Sequence, residues 1–95
     1  IPVNVSDGEI LEAMRLLGHT SGVFAEPAGA AGTAGLKKAL ETGLIERDAS
    51  CVSVVTGNGL KDVNNAIKAS GEPILIPPSM QLLLKEFRKI GDSHQ

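Results

Sequence analysis

The sequence predicts an α/β segment of about four helices and two short strands. Three observations carry that expectation. Polar caps open runs of helical periodicity at several points along the 95 residues. One stretch, Cys51-Val52-Ser53-Val54-Val55-Thr56, is β-branched and apolar on both alternating faces except at Ser53. Glycine or proline stands at nearly every junction between these runs. A short two-faced apolar strand among helices is the pattern of a buried parallel strand covered on both sides.

The first helix is expected from Ser6-Asp7-Gly8-Glu9, a capping box in which the Ser6 hydroxyl and the Glu9 carboxylate each satisfy a free amide. Ile10, Ala13, Met14 and Leu17 then fall on one face, and Gly18 or Gly22 is placed to end the helix in a left-handed cap. Val23-Phe24-Ala25 is a turn or a brief extended link. A second helix starts at Glu26-Pro27, with proline at its first position, and runs through Leu36 and Leu40 to a cap at Gly43. Its face is small. Gly29, Gly32 and Gly35 each cost on the order of 1 kcal/mol of helix propensity against alanine, so something must offset them. Close approach of another backbone is the natural candidate, either by tight packing on a sheet or by a ligand at the helix start.

The 51–56 strand ends in Gly57-Asn58-Gly59, and a third helix is expected from about Asp62 through Ile67 to Ala69, stopped by Gly71. Pro73 to Pro78 supplies the second extended segment. Ser79 caps a last helix carrying Met80, Leu83, Leu84 and Phe87, whose apolar face suits a core or a partner, and the tail Gly91 to Gln95 is polar enough to fray. With so few strands the sheet edges would be unpaired, and the unit on its own would be marginal.

Composition excludes several classes of function. A hydrophobic fraction of 42% and a charged fraction of 21% are ordinary for a soluble globular protein. No apolar run approaches the roughly 18 residues that a bilayer requires, so no membrane association is expected. The net charge is −2, and the nine Lys and Arg residues are scattered, so nucleic acid is an unsuitable partner. The single cysteine, Cys51, lies in an apolar run, where a thiol acts as a small buried hydrophobe, and its solitude suits a reducing compartment such as the cytoplasm. His19 and His94 have no partners at metal-ligand spacing, so no metal site is expected. The chain opens on Ile1, from which an upstream portion is expected.

The chemistry is expected at Val55-Thr56-Gly57-Asn58-Gly59-Leu60-Lys61-Asp62. A hydroxyl there stands at the carboxyl end of a strand, where open α/β sheets bind ligands, and two glycines let backbone crowd against it. The run matches neither the dinucleotide fingerprint nor the nucleoside-triphosphate loop. Together with Glu26-Pro27-Ala28-Gly29-Ala30 it resembles the C-terminal part of the threonine synthases, a family of fold-type-II pyridoxal-phosphate enzymes with a tryptophan synthase β-like fold. The resemblance covers most of residues 1–95. The Thr-Gly-Asn-Gly-Leu-Lys-Asp run is its specific part, whereas Glu-Pro-Ala-Gly-Ala is shared with threonine and serine dehydratases.

The resemblance implies pyridoxal 5′-phosphate as cofactor, an amino-acid substrate, and a hydrogen bond from the Thr56 hydroxyl to the pyridine nitrogen. It also implies that Glu26 lies near the ring and that Gly57 and Asn58 shape the adjacent wall. Each of these residues also has a purely structural reading: Thr56 as a strand terminus, Glu26 as a helix cap, Asn58 as a turn residue. No catalytic residue is expected in the chain itself, because the resemblance places the cofactor-binding lysine and the phosphate cradle upstream. Lys61 is expected as a solvated or ion-paired side chain beside Asp62, and Lys37 and Lys38 as an exposed helix face. The expected partner is the remainder of the enzyme, with self-association open. A dehydratase-like lyase and a non-catalytic interaction module are the alternative readings.

Overall fold

Helix formation follows the caps. The computed structural model describes residues 1–93, with α1 over Asp7–Ser21, α2 over Pro27–Glu41, α3 over Val63–Ser70 and α4 over Met80–Ser93. His94 and Gln95 lie outside the described residues. The capping box at α1 is complete: the Glu9 amide donates to the Ser6 Oγ at 3.2 Å, and the Ser6 amide donates to the Glu9 carboxylate at 3.3 Å. Gly22 ends the helix at φ 71°, a left-handed conformation that costs any residue with a β-carbon.

Ser6→Ala should lower stability by about 1 kcal/mol, read as a lower thermal midpoint. The same cap predicts a pH dependence. The Ser6 backbone amide, followed by Lys38, holds the Glu9 carboxyl below its ordinary value. A carboxyl whose folded pKa is depressed adds stability at and above its unfolded value of about 4.3, and that stability is lost as pH falls through the folded value. Helicity measured by circular dichroism should therefore fall on acidification below about pH 4.3, and Glu9→Gln should flatten that limb.

The core is made of small side chains. Ala13, Met14, Ala25, Ala30, Ala34 and Ala69 are buried together, with Val5, Ile10, Leu11, Leu17 and Val55 packed around them. Alanines let α1 lie close against α2, and α3 closes the other flank of α1. The Arg15 Nε donates to the Ala69 carbonyl, tying α1 to the end of α3. Lys38 is half-buried and structural: its Nζ donates to the Asn4 carbonyl at 2.8 Å and pairs with Glu9 at 3.3 Å, which fastens the chain before α1 onto α2. Lys37 lies on the exposed face, bridging Glu41 at 3.1 Å and Glu12 at 3.8 Å.

The expected strands do not form among the described residues. Residues 51–56 take up no regular secondary structure, and the β-pairing shown is one isolated antiparallel bridge between Ala25 and Asn58. A strand is held by hydrogen bonds to neighbours, and no extended neighbour lies beside this one. Consequently Val52 is 90% exposed, and Cys51, expected to be buried, is exposed as well. Residues 73–78 are likewise unpaired: Pro73, Pro77 and Pro78 carry no N–H, and Leu75 is 98% exposed.

Helix α4 begins just after Ser79, whose Oγ accepts from the Leu82 amide at 3.4 Å, and it continues through Gly91 to Ser93 where fraying was expected. Its Met80, Leu84 and Phe87 side chains are exposed. The Cα radius of gyration is 16.4 Å, whereas a compact domain of this length measures about 12 Å, so much apolar surface stays outside the core.

Candidate functional site

The site is built where residues 51–59 cross the start of α2. The run passes α2 in the opposite direction, with Ser53 beside Thr33, their hydroxyls 2.9 Å apart, and Gly57 beside Gly29 and Glu26. The small face of α2 is what allows this. The close backbone approach expected from its glycines is present at Gly29, which packs on the Thr56–Gly57 backbone, while Gly35 faces open space.

Two backbone links then fix the turn. The Glu26 amide donates to the Gly57 carbonyl at 3.0 Å and the Gly59 amide donates to the Phe24 carbonyl at 3.0 Å, while Glu26 itself is held to α2 by the Ala30 amide, which donates to the Glu26 carbonyl at 2.9 Å. The structure thus brings Glu26, Thr56, Gly57 and Asn58 to one corner, although 30 positions of sequence separate Glu26 from Thr56. The Glu26 carboxylate covers Gly57 on the side where a β-carbon would stand, and the Phe24 ring covers Gly59 in the same way. A side chain at either position would have to displace the Glu26 carboxylate or the Phe24 ring.

Glu26 is the N-cap residue of α2, but its side chain makes no capping hydrogen bond. Its backbone serves the helix, and its carboxylate is left to lie over the glycine turn. The Asn58 side chain accepts from the Leu60 amide at 2.9 Å and so starts a single 3-10 turn over Gly59–Lys61, which was not anticipated. Asp62 caps α3: its carboxylate accepts from the Asn65 side chain at 2.8 Å and from the Asn65 amide at 3.2 Å, and these bonds hold it below the ordinary range. Lys61 is exposed, and its amide donates to the Asn58 carbonyl at 3.1 Å.

Beside the turn lies an open concavity of about 340 Å³ lined by Val23, Phe24, Val55, Thr56, Gly57 and Asn58. Thr56 is exposed at its lip, and its hydroxyl has no hydrogen-bond partner among the described residues. Phe24 was not singled out by its sequence. The signal available was an aromatic two positions before the Glu26 cap, in a chain with only two phenylalanines.

A pyridine ring fits this corner in kind. The neutral Thr56 hydroxyl can donate to a ring nitrogen, and an apolar side is supplied by Val23 and Phe24. The corner carries no lysine and no cradle for a phosphate.

Comparison with known proteins decides the family. Residues 2–57 match the family described as pyridoxal-phosphate dependent enzyme, a span that includes Glu26, Thr56 and Gly57. The chain belongs to that family. Among its relatives, a threonine synthase of Methanocaldococcus jannaschii is 49% identical over 86 residues, covering 90% of the chain and 21% of the relative. A threonine synthase of Halalkalibacterium halodurans is 44% identical over 85 residues, covering 88% and 24%, and one of Mycobacterium bovis is 48% identical over 75 residues, covering 77% and 21%. The resemblance to threonine synthases is thereby borne out, and the chain spans about a fifth of the length of these relatives. The fold-type-II assignment and the four helices stand; the two paired strands do not.

Proposed function

We propose that this chain is the C-terminal segment of a threonine synthase, which converts O-phosphohomoserine and water to threonine and phosphate, and that it supplies the pyridine-nitrogen side of the cofactor pocket. The observation that carries this reading is the free Thr56 hydroxyl at the lip of a concavity whose wall is pinned to the start of α2. Pyridoxal phosphate, when bound, supplies the electron sink for bond breaking next to the substrate's amino nitrogen.

The residues of this chain hold and tune. Thr56 would hold the ring by a hydrogen bond from its hydroxyl to the pyridine nitrogen, and a neutral hydroxyl would not protonate that nitrogen as a carboxylic acid would. Gly57 and Asn58 present backbone as a wall, and the Glu26 carboxylate lies over Gly57. Val23 and Phe24 exclude water from one edge.

The lysine that carries the cofactor, the phosphate cradle and the groups that read the substrate belong to the remainder of the enzyme, which also covers the exposed face of residues 51–56 and α4. We place the assembled enzyme in the cytoplasm, open to self-association. Among the described residues no helix is long and apolar enough to cross a membrane.

The test uses the full-length protein loaded with pyridoxal phosphate and given O-phosphohomoserine, serine or threonine in separate reactions. Threonine and phosphate appearing in equal amounts from the first substrate is the expected result. Ammonia and an oxo acid from serine or threonine would move the assignment to a dehydratase. A protein whose visible spectrum shows no bound cofactor would leave only the interaction-module reading.

A further inference from the structure

The approach of α2 to the glycine turn is closest at one residue. A β-carbon built on Gly29 would stand 3.1 Å from both the nitrogen and the oxygen of Gly57 and 3.3 Å from the nitrogen of Thr56. These are backbone atoms, and they are tied down: the Gly57 carbonyl already accepts from Glu26, and Gly59 already donates to Phe24. No side chain lies at the contact to swing aside, so the turn can answer only by moving its backbone.

We infer that Gly29 is a positioning residue for Thr56, its missing side chain setting how far the Thr56 hydroxyl reaches into the concavity. The inference rests on the proposed role of Thr56 toward a pyridine nitrogen. The neighbouring glycines show that this is a property of one position rather than of the helix. A β-carbon at Gly32 would meet only the Ser53 Oγ at an ordinary 3.8 Å, and one at Gly35 would meet nothing within 4 Å.

Gly29→Ala should move the Thr56–Gly57 backbone outward by a few tenths of an ångström. Helix propensity favours the alanine, so the contact strain and the helical gain oppose each other and the folded protein should survive. A geometric role then has a signature that a stability role lacks. In the full-length enzyme loaded with pyridoxal phosphate, Gly29→Ala should shift the visible absorption maximum in the same direction as Thr56→Val. It should also lower kcat by about threefold to tenfold, with KM changed by less than about twofold. Gly32→Ala should leave the absorption maximum in place.

The double variant Gly29→Ala/Thr56→Val decides whether Gly29 acts through the hydroxyl. If it does, adding Gly29→Ala to Thr56→Val produces no further spectral shift, because the group being positioned is already gone. Additive shifts in the double variant would overturn the inference. So would an unchanged spectrum in Gly29→Ala beside a shifted one in Thr56→Val, an outcome that leaves the role of Thr56 intact. A Gly29→Ala protein that does not fold also counts against it, since a displacement of a few tenths of an ångström is all that it allows. An enzyme that binds no cofactor removes this inference together with the reading beneath it.

Discussion

Thr56→Val in the full-length, cofactor-loaded enzyme should lower turnover about tenfold and shift the visible absorption of the bound cofactor. The magnitude follows from the lost interaction. One hydrogen bond between neutral partners contributes about 0.5–1.5 kcal/mol net, and 1.4 kcal/mol corresponds to about tenfold in rate when the bond is needed in the transition state. The substitution is a clean one for this purpose. Valine keeps the β-branch and nearly the volume of threonine, so the backbone that delivers position 56 is undisturbed.

Thr56 is exposed in this chain and has no hydrogen-bond partner among the described residues, so its loss should change stability by less than about 0.5 kcal/mol. Thr56→Ser should restore much of the activity, since it returns the hydroxyl. An unchanged spectrum and turnover in Thr56→Val would remove Thr56 from the pocket and leave it as the end of the 51–56 run. The two measurements also separate cofactor loss from mistuning: a weakly held cofactor is recovered by excess pyridoxal phosphate, whereas a shifted spectrum at saturation is not.

The parts of the molecule that could be read in the sequence are those whose causes lie within a few residues. Ser6 and Glu9 satisfy each other across one helical turn, Gly22 and Gly71 stop helices by adopting φ of 71° and 86°, and Asp62 caps α3 through Asn65 three positions on. Each of these signals is complete in the local sequence. Residues 51–56 are a different case. Their β-branched composition announced a buried strand that does not form, because pairing and burial depend on neighbours that residues 1–93 do not supply. The misplacement of Cys51 has the same origin, since its burial was inferred from the burial of the run around it.

The site was readable to an intermediate degree. The glycines of α2 announced that something approaches closely, yet nothing in their spacing says that the approaching backbone is Thr56–Gly57. The resemblance implied only that Glu26 lies near a cofactor ring; its meeting with that turn, through the Glu26-to-Gly57 hydrogen bond, is a finding of the structure. Phe24 escaped notice because its role is to cover a glycine 35 positions away, a contact with no local trace.

Ala30→Leu should be the most destabilising single change in this chain. Ala30 is fully buried, and the other buried members of its cluster, Ala13, Met14, Ala25, Ala34 and Ala69, belong to α1, α2, α3 and the link before α2. Unlike the 51–56 run, its environment is complete within residues 1–93, so the cost does not depend on what surrounds the chain. Five of the six buried members are alanines, which have no rotamer to change, so Met14 is the only buried side chain of the cluster that can yield space. Three added carbons must then push α1 away from α2, and overpacking of this kind costs about 1–3 kcal/mol or somewhat more. For a unit of this size each kilocalorie shifts the thermal midpoint by about 4–8 °C, so the midpoint measured by circular dichroism should fall by about 4–24 °C. Ala30 is also the residue whose amide donates to the Glu26 carbonyl, one step from Gly29. Separation of α1 from α2 should therefore loosen the start of α2 and with it the corner that holds Thr56, and in the full-length enzyme cofactor retention should fall in parallel with stability. A midpoint within about 2 °C of the parent would show that the α1–α2 contact has slack that the buried alanines do not reveal.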